Sequence, residues 1–229
     1  MQHKLIKSLS VLALIACGQP FTTQAQLTIS EVHSTGSSST TYARDWFELR
    51  NTGLSTINLT GWKVDDSSPT FATAVALRGV ASLAPGQVAV FMESDAAGAG
   101  DATNGMVFTA AWFGGSAPAG FTLGFYGGSG IGLSSSGDAV NIYDGGGSIV
   151  AGVTFGTGTL GVSFDNAAGL SGAISQLSVA GVSGAFVSVA GSEIGSPGAV
   201  PEPTAFSLGA LGLLGLIFRQ RMVRSGHPK

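Results

Sequence analysis

Cysteine is all but missing. Among 229 residues there is one, Cys17, so no intramolecular disulfide can staple the fold. The chain must rely on an apolar core, which a chain of this length can bury. Histidine is as scarce: His3, His33 and His227 are the whole set, and His33 alone lies away from the ends. One imidazole without a thiolate cannot build a zinc site. A hydrolytic triad would need a serine and an acid converging on His33, yet no nucleophile elbow occurs in a strand–turn–helix context. Charge is sparse, at 10 % of residues, and positive charge is nearly absent from the middle. Between 26 and 198 only Arg44, Arg50, Lys63 and Arg78 oppose twelve acidic residues. That segment carries about −8, which the whole-chain value of −3 hides behind basic ends. An acidic body argues against nucleic acid, or an anionic membrane surface, as its partner. No stretch outside the two ends keeps a sustained helical period. Glycine runs such as Gly145-Gly146-Gly147 lack the lysine and helix of a phosphate loop and read as turns.

What is present is most legible at the ends. Val200-Pro201-Glu202-Pro203 is followed by an uncharged run, Thr204 to Phe218, and then by Arg219, Arg221 and Arg224. The prolines remove two backbone donors and fix φ, so a helix starts at or just after Pro203. Fifteen helical residues would span about 22 Å, short of the roughly 30 Å hydrocarbon core; Arg219 and Arg221 can snorkel across part of the difference. Basic residues after the apolar run place the C-terminus in the cytoplasm. This ordered tail resembles the PEP-CTERM sorting signal. The resemblance implies a protein held transiently in the inner membrane and then processed by an exosortase-like membrane protease, with Val200, Pro201, Glu202 and Pro203 as the motif and Arg219, Arg221 and Arg224 as the membrane stop. The N-terminus agrees: Lys4 and Lys7, an apolar run from Leu9 to Ala16, then Thr23-Gln24-Ala25 form a Sec signal cleaved between Ala25 and Gln26. A rival reading takes Leu14-Ile15-Ala16-Cys17 as a lipobox with Cys17 lipidated. Three segments follow: a signal peptide, 1–25; a body, 26–198; a sorting and transmembrane tail, 199–229.

The body reads as strands and turns. Leu27 to Val32 is rich in β-formers. Asp45 to Arg50 alternates, which sets Phe47 and Leu49 on one face and Trp46, Glu48 and Arg50 on the other. A third strand is expected at Leu59–Val64, with Trp62 and Val64 on one face, and a central one at Gln87–Met92. Asp138–Asp144 and Ser148–Phe155 form a hairpin across Gly145-Gly146-Gly147. The expected class is all-β, a sandwich of two sheets with alternating residues turned inward, flanked by an N-terminal signal helix and a C-terminal hydrophobic helix.

Those segments, in order, resemble a known family. Ile29-Ser30-Glu31-Val32, Asp45-Trp46-Phe47-Glu48-Leu49-Arg50-Asn51, Leu59-Thr60-Gly61-Trp62, Leu83-x-Pro85-Gly86, Ser136-Gly137-Asp138-x-Val140-x-Ile142-Tyr143-Asp144 and Ser196-Pro197-Gly198 look like a lamin tail domain covering 27–198. The resemblance implies an immunoglobulin-like β-sandwich that serves as a non-catalytic interaction module, with no catalytic residues and no cofactor to carry over. The chain departs from the family at an insertion, about 94–132, rich in Gly, Ala and aromatics and longer than a hairpin connection.

Two sets of residues offer chemistry. Asp65, Asp66 and Glu31 are the weak choice for a Ca²⁺ ligand set, without EF-hand spacing. The plainer alternative puts Glu48 beside Arg50 or Arg44 on a solvated face, and no metal is expected. Trp112, Phe113 and Tyr126 in the insertion offer a ligand surface that could stack on sugar rings of an exopolysaccharide; the alternative makes them cover for an edge or end of the sandwich, with Phe121–Phe125 as an extra strand. A metal-assisted hydrolase is the remaining class, and one histidine leaves little to build it from.

Overall fold

The computed structural model describes residues 27–128 and 131–199. The expected signal segment with Ala25 and Gln26, the motif Val200–Pro203 and the stop residues Arg219, Arg221 and Arg224 lie outside the described residues. In chain order the elements are β1 (Leu27–His33), α1 (Gly36–Ser39), β2 (Trp46–Asn51), β3 (Ile57–Asn58), β4 (Lys63–Asp65), β5 (Val75–Ala76), β6 (Ser82–Leu83), β7 (Val88–Ser94), α2 (Asp101–Phe113), β8 (Leu123–Gly127), β9 (Asp138–Tyr143), β10 (Ile149–Phe155), β11 (Phe164–Asp165), β12 (Gly172–Ile174), β13 (Phe186–Val187) and β14 (Ile194–Gly195). Strands dominate and helices are few, as the patterning predicts.

Two five-stranded sheets form the frame, in the orders β11-β1-β2-β7-β8 and β12-β10-β9-β4-β5. Their facing sides share one core. Ile29, Val32, Phe47, Leu49, Ala89 and Phe91 come from the first sheet; Val64, Val140, Ile142, Val153 and Phe155 come from the second. Each side chain is there because successive strand residues point to opposite faces, and removing this apolar area from water supplies the main stabilisation. The expected hairpin is present as β9 and β10, antiparallel with Val140 opposite Val153. The third strand is shorter than expected: Leu59–Trp62 closes as a turn, Trp62 N–H donating to the Leu59 carbonyl at 3.0 Å, and only Lys63–Asp65 pairs. Trp62 still packs on the same core as Val64.

A bulge at Ser30 decides which side chains of β1 face which way. The register passes from Ile29↔Leu49 directly to Glu31↔Glu48, then Val32↔Phe47 and His33↔Trp46. One extra residue in β1 therefore keeps both Ile29 and Val32 in the core and sends Glu31 and His33 to the opposite face. That outer face is buried too. Trp46, Val90, Met92 and Phe125 from the sheet pack with Tyr42, Phe108, Ala111 and Trp112 in a second apolar cluster.

The cover is α2, a correction to the expectation that the body holds no helix. Helix α2 connects β7 to β8, and these two strands are parallel; a parallel neighbour requires a crossover, for which a helix is the usual solution. The insertion is thus a β–α–β unit rather than a loop, and the extra strand expected at Phe121–Phe125 is β8. Phe108, Ala111 and Trp112 are the buried residues of α2, at the i, i+3, i+4 spacing of one helical face. Arg78 holds the N-terminal turn, its Nε and Nη2 bonding Asp101 Oδ2 and Oδ1 at 2.7 and 2.9 Å. Gly114 ends the helix at φ +67, its N–H reaching the Ala110 carbonyl, a conformation that glycine adopts without a Cβ penalty.

Candidate functional site

Trp112, Phe113 and Tyr126 are not exposed together as one surface. Trp112 and Tyr126 are both 0 % exposed and Phe113 is half-buried. Trp112 belongs to the cluster beneath α2, and Tyr126 packs its ring on Phe47 in the core between the sheets. The expected ligand surface is therefore corrected to core and edge cover: large rings next to an open sheet face gain more from burial than from solvent.

The calcium choice fails on placement. Glu31 sits in the first sheet, while Asp65 sits in the second, where its Oδ2 accepts from Thr70 N–H at 2.8 Å and Thr73 Oγ1 at 3.1 Å. Asp66 accepts from Ser68. Among the described residues no three His, Cys, Asp or Glu side chains group closely enough to hold a metal ion.

Polar chemistry gathers instead under the outer face of β1 and β2, in two connected sets. In the first, the phenol of Tyr42 donates to Glu193 Oε1 and accepts from the indole N–H groups of Trp46 and Trp112 at 3.1 and 3.2 Å. His33 stacks on Trp46, with ring centroids 5.4 Å apart, and its Nε2 lies 3.6 Å from Glu193 Oε1. All these side chains are buried. Burial pushes the Glu193 carboxyl up to about 7 and the His33 imidazole down to about 4. At neutral pH His33 is uncharged, so the contact with Glu193 is no ion pair, and His33 has no open side for a substrate.

The second set is a carboxylate pair. Glu31 and Glu48 stand opposite each other in β1 and β2, 0 % and 1 % exposed. The expectation that Glu48 sits beside Arg44 or Arg50 on a solvated face is thereby corrected: that face of the sheet is covered. Glu48 Oε1 accepts from Ser30 Oγ at 2.7 Å and its Oε2 from the Gly198 N–H at 2.6 Å. Glu31 Oε1 accepts from Ser163 Oγ and from the Ser196 N–H at 2.7 Å, and its Oε2 accepts from Ser196 Oγ at 2.9 Å. Every donor is neutral. Burial pushes Glu31 up to about 7, Asp165 adding to the rise; burial and the neighbouring Glu31 push Glu48 up to about 8, against the pull of Arg50. The two carboxyls thus compete for protons near neutrality.

The pair joins the first strands of the body to its last residues, directly before the expected sorting motif. In the sequence Glu31, Glu48 and Ser196-Pro197-Gly198 stand in separate blocks that no local pattern connects. The one signal was a glutamate in each of two alternating apolar strands, which is unusual at a position that turns out to be covered.

Two further concavities flank this region. A groove of about 630 Å³ runs between α2 and β8 past Met106, Phe121 and Leu123. A smaller one, about 250 Å³, lies between β1 and β10. Among the described residues no helix is long and apolar enough to cross a membrane.

Two family models match. The model described as Lamin Tail Domain covers residues 20–157, and the model described as PEP-CTERM protein-sorting motif covers 199–221. The first begins inside the expected signal segment and stops after β10, so the stretch from β11 to Gly198 lies beyond it. No curated protein matches the chain.

Proposed function

The chain belongs to the lamin tail domain family, and from that premise we propose that it is a non-catalytic surface or matrix module delivered by an exosortase-type sorting route. The signal segment 1–25 exports the body, cleavage falling between Ala25 and Gln26. The apolar run 204–218 stops transfer, with Arg219, Arg221 and Arg224 on the cytoplasmic side. The motif Val200–Pro203 is then recognised by an exosortase-like protease, and the body, 26–198, passes to the cell surface or medium. The observation that carries this reading is the match to the sorting motif at 199–221, beginning one residue after the sandwich's last anchored residue, Gly198.

The chemistry of the body supports a presenting rather than a transforming role. Its titratable cluster is sealed beneath α2 and the C-terminal segment, and even the atoms there without a hydrogen-bond partner, both ring nitrogens of His33 and Glu193 Oε2, are closed off from solvent. The buried positions of Trp112 and Tyr126 give no support to polysaccharide stacking.

The test is the mass and compartment of the native chain beside a chain with Pro201, Glu202 and Pro203 all changed to Ala. The native product should lack both the signal and part of the tail and be recovered outside the inner membrane. The triple variant should keep its tail and stay in the membrane. Equal release of the two would end the sorting reading.

A further inference from the structure

We propose that Glu31 and Glu48 are positioning residues for tail processing: they latch Ser196 to Gly198 onto the sandwich and so limit the free chain available to the sorting motif. The geometric half of this stands on hydrogen bonds alone; the role in processing rests on the function proposed above.

Three observations carry it. First, both backbone N–H groups that the junction presents at 196 and 198 end on carboxylate oxygens, one on each glutamate. Second, the junction is bent, not extended. Ala199 N–H returns to the Ser196 carbonyl at 2.9 Å, and Gly198 sits at φ +79, where a Cβ would also lie 2.6 Å from Phe121 Cδ2. Third, the hold is local. The nearest preceding anchor is Gly195, paired with Phe186 in the β13–β14 ladder, so opening the latch frees the chain from 196 onward without touching β9 or β10.

Chain length then decides access. From Gly198 to Pro201 the chain reaches at most about 11 Å when extended. A protease holds its substrate as an extended segment on both sides of the bond it cuts, and with the latch closed the residues before the motif are folded back into the body. Opening it adds roughly three residues, about 10 Å of reach. The latch is suited to opening, because carboxylates buried among neutral donors return little net stability for their desolvation. Processing is thus limited by how often the latch is open.

The experiment uses the full chain in a host that carries the processing enzyme, with two readouts. Hydrogen exchange on the purified chain reports the latch: the Ser196 and Gly198 amides should be protected, and Glu48→Ala or Gly198→Ala should speed exchange of the Gly198 amide at least roughly tenfold while β9 and β10 stay protected. Pulse-chase of tail removal reports the role. Both variants, and a wild-type body with an eight-residue Gly-Ser spacer between Ala199 and Val200, should be processed faster. Glu48→Gln should restore the wild-type behaviour, since its Oε1 can accept from Gly198 N–H while its amide donates to Ser30 Oγ. Unprotected junction amides in the native chain would overturn the latch. A spacer that speeds processing while the latch variants do not, or no change in any chain, would overturn the role. Protected amides with no processing of any chain would reject the sorting reading, and the role with it, while the latch geometry survived.

Discussion

Strands β1, β2, β7, β9 and β10 have six or seven residues each, whereas β11 to β14, which carry the chain from 164 to 195, have two or three. The long strands pair over most of their length and interleave apolar side chains across the core. The short ones are tied down by side chains: Asn166 Nδ2 to the Ile29 carbonyl, Ser163 and Ser196 to Glu31, Glu193 to Tyr42. Apolar burial is proportional to area and indifferent to protonation. Hydrogen bonds to buried carboxyls are directional and titrate. The two regions of one domain should therefore fail under different conditions.

The largest effect should come from the apolar region. Phe47 is fully buried and touches Phe91 and Tyr126. Phe47→Ala should cost about 3–5 kcal/mol and unfold both regions together, read as a single shift of the denaturant midpoint. A loss confined to 160–199 would break the comparison.

Next comes the polar region. Glu31→Ala leaves the Ser196 N–H and hydroxyl short of an acceptor, while the Ser163 hydroxyl keeps Ser178 and the Ile194 carbonyl, at roughly 1–3 kcal/mol for an orphaned buried group. The expected outcome is faster proteolysis after 160, with the amides of β9 and β10 unchanged. If the whole domain lost stability uniformly, the C-terminal stretch would not be a separate unit.

The test that separates the two regions most sharply is pH. Glu31, Glu48 and Glu193 have folded values raised from 4.5 to about 7, 8 and 7. Their contribution is full below pH 4.5 and is lost as pH rises through 7 to 8, because the unfolded state ionises first. Asp165 beside Glu31 adds to the raised value; Arg50 beside Glu48 opposes it. His33 works in the other direction: lowered from 6.5 to about 4, it contributes fully above 6.5 and loses that contribution as pH falls toward 4. The C-terminal stretch should loosen on the alkaline side while the long strands hold, and a Glu31→Gln, Glu48→Gln double variant should flatten that limb. Exchange rates of the 196 and 198 amides between pH 6 and 9, corrected for intrinsic exchange, measure it.

Much of the fold was legible because strand periodicity is local. Alternation around Phe47 and Leu49, and again around Val140 and Ile142, names the core face without any knowledge of the partner sheet. Helix α2 was not legible. Gly105, Thr103 and Val107 weaken its propensity, and apolar residues on several sides, Met106 among them, blur the i, i+3, i+4 spacing of Phe108, Ala111 and Trp112. The carboxylate pair was missed for a different reason. Alternation that turns Phe47 and Leu49 inward turns Glu48 outward, and nothing local in the sequence says that the outer face of the first sheet is covered.

By itself, then, the sequence determined the shared face of Phe47 and Leu49, the inward Val140 and Ile142, the β9–β10 hairpin, the family and the character of the tail, since each depends on residues close together in the chain. Only the tertiary structure decided that the bulge at Ser30 turns Glu31 toward Glu48, that α2 roofs the outer face, and that Ser196 and Gly198 end on those two carboxylates. Those contacts join residues 150 to 165 positions apart. No local pattern encodes such a pairing, because its partners meet only after the sheets, the crossover helix and the returning C-terminal segment have packed together.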